Sequence, residues 1–232
     1  MRFGVVIFPG SNCEQDVIRA TRFLGFESEY VWHGDTDISG FDAIVLPGGF
    51  SYGDYIRTGA VARFSPVMAE VMRFADKGGP VLGICNGFQI LCEAHMLPGA
   101  MLRNRGLKFI CKSTSLRVEE NACEWLDAPA QTVLQIPINH NEGNYYCDAQ
   151  TLASLDANGQ VVLRYCEPDG TRAAGGSAPN GSLDDIAGIC NERGNVFGLM
   201  PHPERVVDLL TGGTDGQAFF TSIVGTFAEA VG

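Results

Sequence analysis

The stretch Val81-Leu82-Gly83-Ile84-Cys85-Asn86-Gly87-Phe88-Gln89 sets a short apolar run directly against a helical pattern, with Gly-x-Cys-x-Gly at the junction. A continuous apolar run of this length reads as a buried strand, and the positions from about Gly87 to Ala94 recur at helical spacing. A chain that turns from strand to helix within one residue forms a sharp elbow that strains the central backbone. Glycines on either side let neighbouring chain pass without a Cβ in the way. The bend lifts its side chain to the carboxyl end of the sheet, where ligands of open α/β folds bind. It also stands that side chain at a helix amino terminus, whose partial positive charge favours thiolate over thiol. Cys85 is therefore a candidate nucleophile. On this stretch alone the plainer reading, a buried cysteine whose neighbouring glycines serve packing, stays open.

Upstream the pattern alternates. Phe3 to Phe8 reads as a strand ending at Pro9-Gly10, and Ser11 or Asn12 can cap a helix whose apolar face holds Val17, Ile18, Phe23 and Leu24, with Gly25 as its stop. Strands are expected over Glu29 to Trp32 and Ala43 to Leu46, and a helix through about Val67 to Ala75. Strand and helix in alternation imply a parallel sheet with helices on both faces. From about Leu107 onward, runs such as Thr114 to Val118 and Val161 to Tyr165 are separated by Gly, Asn and Asp clusters, which points to an antiparallel extension of the same domain. The loop Ala173 to Ser182 has the composition of a mobile segment.

A chain of 232 residues suits one α/β domain, residues 1–232, and its 45% hydrophobic and 19% charged residues are those of a globular protein. The formal net charge of −11, with no long run of Lys or Arg, argues against nucleic acid as a partner. The first residues lack the form of a signal peptide, and no apolar run approaches the ~20 residues of a membrane helix, so a cytoplasmic protein without a membrane partner is expected. The eight cysteines are scattered, with no Cys-x-x-Cys pair and no histidine cluster beside them, so no metal site is expected.

Near the carboxyl terminus the expected strand Val196 to Met200 runs into Pro201-His202-Pro203-Glu204. Two prolines should keep this segment extended and set His202 and Glu204 on one side. A carboxylate there can accept the proton of one ring nitrogen and leave the other facing the thiol, completing a Cys-His-Glu triad. Attack of a thiolate on a carboxamide builds charge on the carbonyl oxygen. Backbone amides suited to stabilise it belong to Asn86, at the start of the elbow helix, and Gly49, in the Pro47-Gly48-Gly49 end of a neighbouring strand.

With these residues in place, the chain resembles the class I, or triad, glutamine amidotransferases, and more narrowly the glutaminase subunits of phosphoribosylformylglycinamidine synthases. The matching segments are Gly10 to Cys13, Leu46 to Tyr55, Gly83 to Gln89, His140 to Tyr145 and Met200 to Arg205. The elbow and His-Pro-Glu mark the wider family, whereas Gly-Gly-Phe-Ser-Tyr-Gly-Asp is specific to the narrower one. The resemblance implies a flavodoxin-like, mostly parallel sheet. It implies that Cys85 is the nucleophile, His202 the base and acid, Glu204 its orienter, Gly49 and Asn86 the oxyanion donors and Gln89 a contact for glutamine. His140 is a substrate-side or interface candidate, with a structural histidine as the alternative. The family has Gly more often than Asn at the position of Asn141, which bears on the detail of that loop.

The implied chemistry is a Cys thioester, release of ammonia and hydrolysis to glutamate. The ammonia would serve a separate large synthetase subunit that uses ATP and magnesium to convert formylglycinamide ribonucleotide to formylglycinamidine ribonucleotide, with a small third subunit as a possible bridge. This chain has no Gly-x-x-x-x-Gly-Lys-Ser/Thr loop of its own and implies no cofactor of its own. Two other classes compete: a Cys-His hydrolase of the peptidase or γ-glutamyl hydrolase kind, which shares the elbow but needs no partner, and a flavodoxin-like binding module using Gly10-Ser11-Asn12 for phosphate.

Overall fold

The computed structural model describes residues 1–126 and 128–228, with side chains of the last helix as far as Ile223. In chain order the strands and helices of the amino-terminal half are β1 (Arg2–Ile7), α1 (Glu14–Phe23), β2 (Glu27–Trp32), β3 (Ala43–Leu46), α2 (Pro66–Asp76), β4 (Val81–Ile84) and α3 (Asn86–Glu93). There follow β5 (Ala100–Leu102), β6 (Ile110–Val118), β7 (Val133–His140), β8 (Asn144–Tyr146), α4 (Ala149–Ala157), β9 (Val161–Cys166), β10 (Ile186–Cys190), β11 (Val196–Leu199) and α5 (Ala218–Ala228).

Among the described residues nine strands make one sheet in the order β2-β1-β3-β4-β11-β10-β9-β6-β7. The pairs from β2 to β11 are all parallel. Those from β11 to β7 are all antiparallel. The parallel half has the flavodoxin-like order with β11 as its fifth strand. Every residue of β3, β4 and β11 is buried, as expected of strands covered on both faces, and this explains why they read as unbroken apolar runs. The runs at 114–118 and 161–165 lie in β6 and β9, which pair with each other and extend the same sheet.

In the parallel half the strands and helices follow the sequence reading to within two residues; β6 begins four residues before the run read at Thr114, and the cap of α1 differs. Its cap position is Cys13, with no side-chain bond. The Ser11 hydroxyl instead accepts from the Phe8 amide, and Asn12 Oδ1 accepts from the Cys13 thiol. These side chains are diverted because the loop they belong to is tied to the end of β3, with the amides of Asn12 and Cys13 both donating to the Gly48 carbonyl. Nor is the loop 173–182 loosely attached at its end: Asn180 is fully buried and hydrogen bonded to Gly143, Tyr165, His140 and Ser182. Among the described residues no helix is long and apolar enough to cross a membrane.

Candidate active site

The elbow forms because β4 has nowhere to continue. The Cys85 amide donates to the Leu199 carbonyl at 2.8 Å, completing the pairing with β11, and α3 starts at the next residue. Cys85 takes φ 51 and ψ −103, a conformation that costs a non-glycine residue about 1–3 kcal/mol. The turn is tight enough that a Cβ on Gly87 would lie 1.9 Å from the Leu46 carbonyl oxygen, so only glycine lets α3 approach β3. Cys85 lines a cavity of about 270 Å³ together with Cys13, Gly49, Gln89, His140 and His202. That is at the small end of ligand pockets and suits a single amino acid.

His202 and Glu204 are buried, and Nδ1 of the imidazole lies 2.6 Å from Glu204 Oε1. The segment is not extended as its prolines suggested: Pro203–Arg205 is a turn of 3-10 helix, and the Arg205 amide donates to the His202 carbonyl. The turn brings the carboxylate back under the ring and so makes the pair by curvature. With Nδ1–H donating to the carboxylate, Nε2 keeps a lone pair, and it has no hydrogen-bond partner among the described residues. Burial alone would lower the pKa of the ring. The negative charges of Glu204 and of the Cys85 sulfur overcome it and hold His202 well above its ordinary value. The site thus favours a proton on the imidazole when the thiol gives one up.

Gly49 lines the cavity at φ 150, and a Cβ there would lie 2.7 Å from Ser11 Cα. Its neighbours make the ladder bonds, Asn12 N to Gly48 O and Phe50 N to Gly10 O, which leaves the Gly49 amide outside that pairing. Asn86 begins α3, so its amide has no acceptor within the helix. Its side chain is structural, taking the Ser51 amide on Oδ1 and donating to Gln89 Oε1 at 2.8 Å. Gln89 lines the cavity, but its own amide group donates to the Glu142 carbonyl, so both of its polar ends are engaged within the protein. These bonds fix its orientation and leave one N–H and one lone pair of the carboxamide for a ligand.

Several residues that the motifs did not single out as site residues also gather here. Cys13 lies beside His202 and Glu204: its sulfur accepts from Arg205 Nη2 at 3.2 Å, and ligand-type atoms of Cys13, His202 and Glu204 lie within 4.8 Å of one another. These are zinc-ligand types, yet the guanidinium at the sulfur would repel a cation, and one oxygen of the carboxylate is already bonded to Nδ1. Asp54, Arg103 and Glu142 line the cavity with His140. Except for Arg103 they fall within the segments that carry the family resemblance, which was the available signal; nothing in their local spacing marked them.

The family model for the CobB/CobQ-like glutamine amidotransferase domain matches residues 1–217. The phosphoribosylformylglycinamidine synthase subunit PurQ of Moorella thermoacetica is 57% identical over 228 residues, covering 97% of this chain and 95% of its own. The protein of the same description from Gloeobacter violaceus is 54% identical over 234 residues and the full length of both. A chain of the solved structure of PurLQS from Thermotoga maritima is 44% identical, with a TM-score of 0.85 over 97% of this chain and 98% of that one. A glutamine amidotransferase from Thermotoga maritima, 14% identical with a TM-score of 0.56 over 100% of this chain and 84% of its own, shares the fold.

Proposed function

This chain belongs to the CobB/CobQ-like glutamine amidotransferase family, and from that premise we propose that it uses Cys85, His202 and Glu204 to release ammonia from glutamine as one amidotransferase domain. It is the glutamine amidotransferase subunit of a phosphoribosylformylglycinamidine synthase and supplies ammonia for purine biosynthesis. The observation that carries the assignment of residues is the strained Cys85 at the elbow, sharing one small cavity with an imidazole whose Nε2 is unpartnered.

His202 Nε2 takes the thiol proton as sulfur attacks the carboxamide carbon. The amides of Gly49 and Asn86 receive the developing oxyanion, each such donor being worth about 3 kcal/mol. The imidazolium, held by Glu204, then protonates the leaving ammonia and a thioester remains. Water activated by the same Nε2 cleaves the thioester to glutamate and restores the thiol. The ammonia passes to a large synthetase subunit that uses ATP and magnesium to convert formylglycinamide ribonucleotide to formylglycinamidine ribonucleotide. A small subunit joining the two is in keeping with the relative solved as PurLQS.

Cys85→Ser tests the division of labour. In the complex with the synthetase it should lower glutamine-dependent synthesis by at least about 10³-fold and leave synthesis from free ammonia intact. Equal loss of both activities would refute the assignment.

A further inference from the structure

Besides His202 Nε2, two buried polar atoms of the cavity lining are left without partners among the described residues, and they are opposite in kind. Asp54 Oδ1 is buried and has no hydrogen-bond partner among the described residues. The carboxylate of Glu142 adds to the negative charge around it, and Glu142 meets the exposed guanidinium of Arg103 only loosely, at 3.5 Å. A carboxylate with one oxygen buried and a second carboxylate beside it is costly unless a cation joins it.

The second atom follows from a tautomer argument. Asn180 Oδ1 accepts from the Ser182 amide, which identifies its other end as the carboxamide NH2, and that nitrogen lies 3.1 Å from His140 Nε2. A carboxamide NH2 can only donate, because its nitrogen lone pair is delocalised into the carbonyl, so Nε2 is the unprotonated nitrogen. The ring is neutral, since burial and the neighbouring His202 push its pKa down to about 3. Its one proton is therefore on Nδ1. His140 is 3% exposed and lines the cavity, and Nδ1 has no partner among the described residues.

Glutamine brings three polar groups, and the backbone amides of the proposed mechanism take only the carboxamide oxygen. We propose that the cavity selects free, zwitterionic glutamine, with Asp54, reinforced by Glu142, receiving the α-ammonium and His140 Nδ1–H, with Arg103, receiving the α-carboxylate. Asn180 is then a positioning residue that fixes the donor tautomer of His140. This rests on the glutaminase reading above and adds to it which end of the substrate is recognised, and by what. A γ-carboxamide within a peptide lacks both charges and an N-acylated glutamine lacks the ammonium, so both are refused.

The test uses the complex with the synthetase and three substrates: L-glutamine, 4-carbamoylbutanoate, which lacks the ammonium, and L-glutaminamide, which lacks the α-carboxylate. Release from the γ-amide is followed, and synthesis from free ammonia checks that each variant assembles. The wild type should lose at least about 100-fold in kcat/KM with either analogue. Asp54→Asn should raise KM for glutamine about tenfold or more, with kcat little altered, and cause no added loss with 4-carbamoylbutanoate. His140→Phe should show its loss with glutamine and not with glutaminamide, while His140→Asn, which keeps an N–H donor near the Nδ1 position, restores part of it. Equal losses on all three substrates, or an unchanged KM in Asp54→Asn, would overturn the proposal while leaving the glutaminase reading standing. Failure of the wild type to release ammonia from glutamine would bring down both.

Discussion

Asp54 sits at φ 55 with one carboxylate oxygen buried, and burial together with the charge of Glu142 pushes its carboxyl up to about 6. A carboxyl whose pKa is higher folded than unfolded contributes its full stability below the unfolded value, near 3.8, and loses it as pH rises through about 6. Asp54→Asn removes this titration, so it should stabilise the free protein above pH 6 relative to pH 4. The full shift would correspond to about 3 kcal/mol, and solvent screening of a half-buried group reduces this to about 1 kcal/mol. Asn also tolerates a left-handed backbone, but that gain is the same at every pH and cancels in the comparison. Thermal melts of variant and wild type at pH 4 and pH 8 check it; an equal gain at both would show that the carboxylate is not strained by its site.

The elbow is where three elements meet, and its constraints come from backbone more than from side chains. Leu46, the last residue of β3, holds its carbonyl where any Cβ on the first turn of α3 at position 87 would have to go, at 1.9 Å. No rotamer relieves a clash with backbone. Gly87→Ala should therefore destabilise the protein by more than about 3 kcal/mol, by urea denaturation, and abolish alkylation of Cys85 by a glutamine-mimicking electrophile. The glycines of the motif are thus conditions for the approach of strand and helix. The His202–Glu204 pair depends equally on local shape, since the 3-10 turn Pro203–Arg205 brings Glu204 beneath the His202 ring.

Across the whole molecule the antiparallel half supports the site in the parallel half. Arg164 of β9 is buried and reaches Asp156 at 2.6 Å, Asp184 at 2.5 Å and Glu119 at 3.6 Å. Arg172 also pairs with Asp184, and with Asp185 at 2.8 Å. This network ties down the loop carrying Asn180, and Asn180 in turn holds His140 at the cavity. Removing the central cation leaves carboxylates that are partly exposed, so Arg164→Ala should cost about 2 kcal/mol, less than a fully buried pair. Chemical denaturation measures that cost. The same variant should raise KM for glutamine and spare ammonia-dependent synthesis, because the loop holds His140 and Gly143 beside the cavity.

Much of this protein was legible from residue order alone. Unbroken apolar runs at 43–46, 81–84 and 196–199 identified strands covered on both faces, and the glycine-flanked Cys85 between strand and helix identified the bend, because both signals depend on neighbours along the chain. The chain order likewise allowed His202, Glu204, Gly49 and Asn86 to be named as its companions. What tertiary structure alone decided was which polar groups remain unsatisfied. The orientation of Gln89 is set by Asn86 and Glu142, each bonded to one of its ends, and His140 reads as ambiguous until Asn180, 40 residues away, fixes its proton. A hydrogen bond is settled by distance and direction between groups far apart in the chain, whereas a strand or an elbow is settled by the residues beside it.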